Sequence, residues 1–313
     1  MTSATQASVC IIISFSNEWF IPPIFMNSVF SQIKYSYPTK FITINDYRIA
    51  YIDEGDSHNA LLFIHGLGSY LKAWDRNIPE LKKHFRCIAI DLPGYGKSSK
   101  QIHSGAVSFY TKIIDEIIIK LELKNVSLVG HSMGGQIAAS YVLDYPNTIC
   151  NLILVAPAGF EVFNEDEVDY IKKIMSPEIL FKTSDHQIKL NYKFNFYNMP
   201  VEAEEMIADR IAIKKDLDFL NHCTVVSSSL FGLLKAPIIN RLNEINIPTL
   251  ILFGKDDMLI PNKLIHQTTT EAIAMLGSSK IKNSSLILFD ECGHFLQYEK
   301  PKQFNSHVIT FIK

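Results

Sequence analysis

The chain has 313 residues, 47% of them apolar and 20% charged, enough for a packed core and against wholesale disorder. Thirty Lys and Arg against 32 Asp and Glu leave a formal net charge of −2, which gives no support for nucleic-acid binding, since that usually needs a basic face. Five cysteines, Cys10, Cys87, Cys150, Cys223 and Cys292, are scattered without a CxxC pair. That argues against a disulfide framework or a cysteine zinc site and fits a reducing, cytoplasmic setting.

The first 33 residues hold one acid, Glu18, and no Lys or Arg. The apolar stretch from Val9 to Phe30 is broken by Asn17, Glu18 and Pro22-Pro23, and it lacks the basic start of a secretory signal. Residues 1–37 are therefore expected to be a loosely packed leader without a membrane span, with Met26 as an alternative start.

From Lys40 the pattern turns regular. Phe41–Ile44 and Arg48–Ile52 read as short strands around an Asn45-Asp46 turn. Ala60–Ile64, Cys87–Ile90, Val126–Val129, Asn151–Val155, Thr249–Phe253 and Ser285–Phe289 are short apolar runs, as expected of strands buried on both faces. Helical patterns lie between them at Val107–Leu123 and Met133–Asp144, and Lys302–Ile312 closes the chain. Alternating strand and helix predicts an α/β, mostly parallel, doubly wound sheet. Between Val155 and Thr249 about 90 residues show no sheet strand. They read as helices at Glu165–Met175, Val201–Ile213 and Leu217–Ser228, with an aromatic patch at Tyr192, Phe194, Phe196 and Tyr197. The expected organisation is a core of residues 38–156 and 239–313 with a helical cap, or lid, of residues 157–238 above the strand ends.

The residues able to do chemistry sit at those strand ends. Gly130-His131-Ser132-Met133-Gly134 fits G-x-S-x-G between a strand run and a helical pattern, the context that makes Ser132 a nucleophile on a strained turn. A serine hydroxyl needs a base, and His294, in Cys292-Gly293-His294 after the last strand, is the candidate. His131 beside the serine reads as a packing residue. The imidazole needs an orienting carboxylate: Asp257 or Asp256 after Thr249–Phe253, with Glu161 a remote alternative. The backbone N–H of Met133 and that of Leu67, in His65-Gly66-Leu67-Gly68, are candidates for the oxyanion hole.

HGLG at His65–Gly68, DLPGYGKS at Asp91–Ser98, GHSMGG at Gly130–Gly135, GKDDMLIP at Gly254–Pro261 and CGHFLQYEKP at Cys292–Pro301 together resemble the α/β-hydrolase fold family, in its serine esterase, lipase and C–C hydrolase group. The resemblance covers Lys40 to Lys313 and implies the catalytic order Ser132, Asp257, His294, choosing Asp257 over Asp256. It also implies that Asp91 is structural. It leaves three readings. The first is hydrolysis of a small or medium apolar carboxylic ester through an acyl-enzyme. The second is cleavage of a carbon–carbon bond in a vinylogous 1,5-diketone by a meta-cleavage-product hydrolase. There Arg210, in the stretch Glu204–Ile213, falls where that group holds a substrate carboxylate. His131 stands where that group usually has Asn, Phe295 where it often has Trp, and the loop is not HGxGPG. The third reading is an idle fold that binds a small ligand. Arg210 and Phe295 are the expected substrate-binding residues; no cofactor or metal is expected, and the partner is a small-molecule substrate.

Overall fold

The computed structural model describes residues 28–313. Eight strands form one sheet: β1 (Lys40–Ile44), β2 (Tyr47–Glu54), β3 (Ala60–Ile64), β4 (Arg86–Ile90), β5 (Ser127–His131), β6 (Asn151–Val155), β7 (Thr249–Gly254) and β8 (Ser284–Phe289). Their order is β1-β2-β4-β3-β5-β6-β7-β8. The pairs β1–β2 and β2–β4 are antiparallel, and the others are parallel. β3, β5 and β7 are buried along their whole length, as their unbroken apolar runs predict. β8 differs from that expectation: as an edge strand it buries only Phe289 fully.

The chain leaves β3 toward β4 and leaves β5 toward β6, on opposite sides. Loops that diverge in this way open a crevice at the strand ends. Register brings Ile64 of β3 beside Gly130 of β5, so the loops that follow, at Gly66 and Ser132, are neighbours. After a one-turn helix α1 (Val29–Gln32), the core helices are α2 (Ile78–Leu81), α3 (Val107–Lys120) and α4 (Met133–Asp144). α4 buries every residue from Met133 to Val142. It can lie this close because it starts with glycines: a Cβ on Gly134 would stand 2.2 Å from the Ile64 carbonyl.

Between β6 and β7 the chain makes α5 (Glu165–Ile174), α6 (Pro177–Lys182), α7 (Asp185–Lys193), α8 (Ala203–Ala212) and α9 (Phe219–Lys235). Two of the expected helices thus sit where read, α9 runs past Ser228, and α6 and α7 are additions. The aromatic patch falls at the end of α7 and just beyond it. The chain closes with α10 (Thr270–Lys280), α11 (Leu296–Glu299) and α12 (Pro301–Ile312).

The leader expected over residues 1–37 does not keep that boundary. Its first 27 residues, Met26 included, lie outside the described residues. Residues 28–37 are packed: Phe30 and Ile33 are buried, and Asp216, just before α9, accepts hydrogen bonds from the Ser28 hydroxyl (2.6 Å) and the Phe30 N–H (3.2 Å). Among the described residues no single helix is long and apolar enough to cross a membrane.

Candidate active site

Ser132 sits between β5 and α4 with φ 54° and ψ −115°, a backbone conformation that non-glycine residues adopt only where surrounding structure enforces it. Backbone hydrogen bonds enforce it here. The Ser132 N–H donates to the Val155 carbonyl (2.9 Å), and its own carbonyl accepts from Gly135 (2.9 Å) and Ala158 (3.0 Å). The turn throws the side chain out of the sheet.

His294 and Asp257 are brought together. The imidazole Nδ1 lies 2.7 Å from Asp257 Oδ2, and both residues are buried. The other carboxylate oxygen accepts the N–H groups of Leu259 (2.7 Å) and Ile260 (3.0 Å), so Asp257 is held at both ends. Nδ1 then carries the proton and Nε2 is free to accept one. The two rival carboxylates do not reach His294. Asp256 accepts from the Cys292 N–H (3.3 Å), and Glu161 takes the Asn262 N–H (2.9 Å) and the His266 ring.

His131, read as packing, also anchors. Its Nε2 donates to the backbone carbonyl of His294 (3.0 Å), and its ring lies against those of His294 and Phe295. Burial first, then the neighbouring His294, pushes its pKa far down, so the ring stays neutral. Gly293 allows the same loop to meet α7's end: a Cβ there would stand 2.7 Å from the Asn195 carbonyl. The Phe295 N–H donates to that carbonyl at 2.9 Å.

Met133 opens α4, so its N–H has no partner inside the helix. Leu67 lies in the loop after β3, which the buried His65 ring fixes. Its Nδ1 donates to the Gly66 carbonyl (2.8 Å) and its Nε2 accepts the Leu92 N–H (3.1 Å). Burial lowers that imidazole to about 4, again neutral. Asp91 fastens the next loop, accepting from Leu71 N–H (2.8 Å), Lys97 N–H (2.7 Å) and the Tyr35 hydroxyl (2.5 Å).

Ser132, His294, Leu67 and Phe295 line one cavity of about 370 Å³. Its far walls are apolar: Ile171, Ile174 and Met175 from the end of α5, and Leu230, Leu233 and Leu234 from α9. Glu161 is the carboxylate in that wall, and burial pushes its pKa up against the pull of His266 and the Asn262 N–H. Arg210 does not line this cavity, contrary to the expected grouping with Phe295. It lies across the Gly66–Gly68 loop, in a second cavity of about 20 Å³ with Gly68, Ser69, Tyr70, Tyr192 and Phe30.

The second cavity has its own supports. Next to Arg210 on α8, Asp209 binds the Tyr70 hydroxyl and the Lys72 ammonium, each at 2.7 Å, fixing the helix to the loop after β3. The Arg210 guanidinium donates to the Gly68 carbonyl (3.3 Å) and to His222 Nε2 (2.7 Å). His222 can accept because its Nδ1 donates to the Gly94 carbonyl (2.8 Å) and because burial, with Arg210 beside it, keeps it neutral. Among the described residues no carboxylate pairs with Arg210. Ser69 Oγ and Tyr192 Oη, in the same wall, are buried without a hydrogen-bond partner. Unpartnered buried polar groups around an unpaired cation form an environment that an anion completes. His222 and Glu161 carried no sequence signal beyond their residue type.

Among the described residues no cluster of His, Cys, Asp and Glu is placed to hold a metal ion.

The model of the alpha/beta hydrolase fold family matches residues 59–301. A Pseudomonas putida protein named 2-hydroxy-6-oxononadienedioate/2-hydroxy-6-oxononatrienedioate hydrolase 1 is 28% identical over 302 residues, spanning 88% of this chain and 96% of that protein. A probable hydrolytic enzyme from Pseudomonas aeruginosa PAO1 superposes with a TM-score of 0.80 at 22% identity, over 90% of this chain and 96% of the other. A meta-cleavage product hydrolase from Pseudomonas fluorescens IP01 gives 0.71 at 22% identity, over 87% and 96%. The eight-stranded sheet, the strand-end loops and the matched length agree: the chain is a hydrolase and belongs to the α/β-hydrolase fold family.

Proposed function

We propose that the protein hydrolyses a carbon–carbon bond beside a ketone, in a vinylogous 1,5-diketone that bears a carboxylate. The observation that carries this reading is Arg210: a guanidinium without a carboxylate, held against Gly68 on the far side of the loop from Ser132. A substrate spanning that loop puts its acyl end at Ser132 and its carboxylate at Arg210. The names of the curated relatives support the same chemistry.

The steps start from the diketone, which a 2-hydroxy-6-oxo-dienoate reaches when its enol proton is moved from the 2-hydroxyl to C5. His294 Nε2 takes the Ser132 proton as the oxygen attacks the ketone carbon, and Asp257 stabilises the imidazolium. The N–H groups of Leu67 and Met133 receive the oxyanion. The carbon–carbon bond then breaks, and its electron pair delocalises through the conjugated fragment toward the end held by Arg210. That fragment takes the proton held on His294 Nε2 and leaves as a hydroxydienoate, which returns His294 to its neutral form. Water, activated by His294, hydrolyses the acyl-serine to the acid.

An ester reading remains as the second. The replacement of Asn and Trp by His131 and Phe295, and the largely apolar walls around Ser132, favour it. In both readings Ser132, His294 and Asp257 have the same roles. A monocarboxylate 2-hydroxy-6-oxoalkyl-dienoate compared with p-nitrophenyl butanoate separates them. Faster turnover of the dienoate, followed by loss of its chromophore, is the expected result; hydrolysis of the ester alone would leave the esterase.

A further inference from the structure

The reaction proposed above leaves open what acyl group the Ser132 cavity takes. The Pseudomonas putida relative is named for a nonadienedioate, an acid with a carboxylate at each end. One of the two fits Arg210. The other travels with the acyl half and has to be met by something cationic or by donors.

The Ser132 cavity holds no such cation, and its amides Gln136 and Asn195 spend their N–H groups on backbone carbonyls, which leaves Asn262, beside Glu161, as the remaining side-chain amide. Among the described residues no lysine or arginine lines it. Its charged wall residue is Glu161, whose side chain is only 8% exposed. Glu161 is fixed in place by the Asn262 N–H and by His266 Nδ1, and His266 Nε2 lies 3.6 Å from a second carboxylate, Glu167. One imidazole stands between two carboxylates. Protonated, it leaves the cluster with one net negative charge; neutral, it leaves two. In neither state does this wall turn positive. The remaining far walls, at Ile171, Met175 and Leu230, are apolar and offer no solvation to a buried anion.

We infer that Glu161 is a specificity-determining residue, which makes the acyl cavity refuse a second carboxylate and restricts the substrate to acyl groups that are uncharged at their far end. The inference rests on the reading that the acyl half occupies the Ser132 cavity, and it holds for ester and carbon–carbon cleavage alike. Like charges buried together at short range repel strongly, so the discrimination is expected to reach about tenfold or more.

The test is binding, which needs no turnover. Nonanoate and nonanedioate are titrated into the wild-type protein and into Glu161→Gln, a change that keeps the side chain's shape and its acceptor for the Asn262 N–H. Nonanoate binds the wild type at least about tenfold more tightly, and Glu161→Gln narrows the gap to about threefold or less. Equal binding of the two acids by the wild type, no binding of nonanoate, or a gap that Glu161→Gln leaves unchanged would overturn the inference. Failure of the hydrolase reading shows elsewhere, as turnover that survives Ser132→Ala.

Discussion

The two cavities flanking the Gly66–Gly68 loop are built on opposite plans. The Ser132 cavity is large, about 370 Å³, and its reactive groups stand on strand ends fixed by backbone bonds. The Arg210 cavity is about 20 Å³, room for little more than a water, and it is closed by α8 and by Phe30 and Ile33 from the segment before the sheet. The first is preformed. The second holds an unpaired cation and two unpartnered hydroxyls, and a dienoate enters it only if the walls part. On the proposed function, chemistry falls to the Ser132 side of the loop and carboxylate recognition to the Arg210 side.

Breaking the rigid side has the largest effect. Ser132→Ala lowers kcat by about a million-fold while circular dichroism and melting stay near wild type. Asp257→Asn costs about ten-thousand-fold, because the amide no longer holds Nδ1 protonated, whereas Asp256→Asn stays within about threefold. Equal losses in the two variants would reject the chosen carboxylate. Gly293→Ala attacks the seam between the His294 loop and the α7 end. Its Cβ would overlap the Asn195 carbonyl and the Phe196 backbone, so unfolding free energy falls by about 1–3 kcal/mol, read by denaturant titration.

The smallest effect is acid sensitivity. His65, His131 and His222 are all held neutral, with pKa values below the unfolded 6.5. Their contribution is present above pH 6.5 and is lost as pH falls, because the unfolded chain takes protons that the fold refuses. Asp75 and Asp91, both raised by burial to about 6, act in the opposite sense. With His103, lowered by burial, and Glu161, raised by it, four imidazoles stand against three carboxyls, a net loss of up to about 1.4 kcal/mol per pH unit between pH 6 and 4. Stability flat across that range would show that the imidazoles are not neutral in the fold.

Legibility divides along the same line. The strand runs Ala60–Ile64 and Asn151–Val155 match the structure residue for residue, since strands buried on both faces need continuous apolar sequence. Ser132 and His294 could be singled out because each follows such a run, whereas position alone left Asp256 and Asp257 open and the family resemblance chose between them. At α6 and α7 the signal fails for a physical reason. α6 buries no residue and α7 only Ile188, so neither has an apolar stripe to read. α9 continues past Ser228 through Gly232, where a helix stop is the natural reading. That glycine is present because a Cβ there would stand 2.1 Å from the Gly105 carbonyl. α10 lacks a strong stripe as well, and its N-cap Thr269, bonded to the Ala272 N–H, was the available sign. His222 and Glu161 act through partners more than 100 residues away, Gly94 and His266, which no local pattern connects.

The division of labour between the two cavities is tested most directly by Arg210→Met. Its kcat/KM is measured on a monocarboxylate 2-hydroxy-6-oxo-dienoate and on p-nitrophenyl butanoate. Recognition of the carboxylate at Arg210 predicts a loss of about 100-fold on the dienoate and less than about threefold on the ester. Equal losses on both substrates, or a dienoate rate that Arg210→Met leaves untouched, would contradict it.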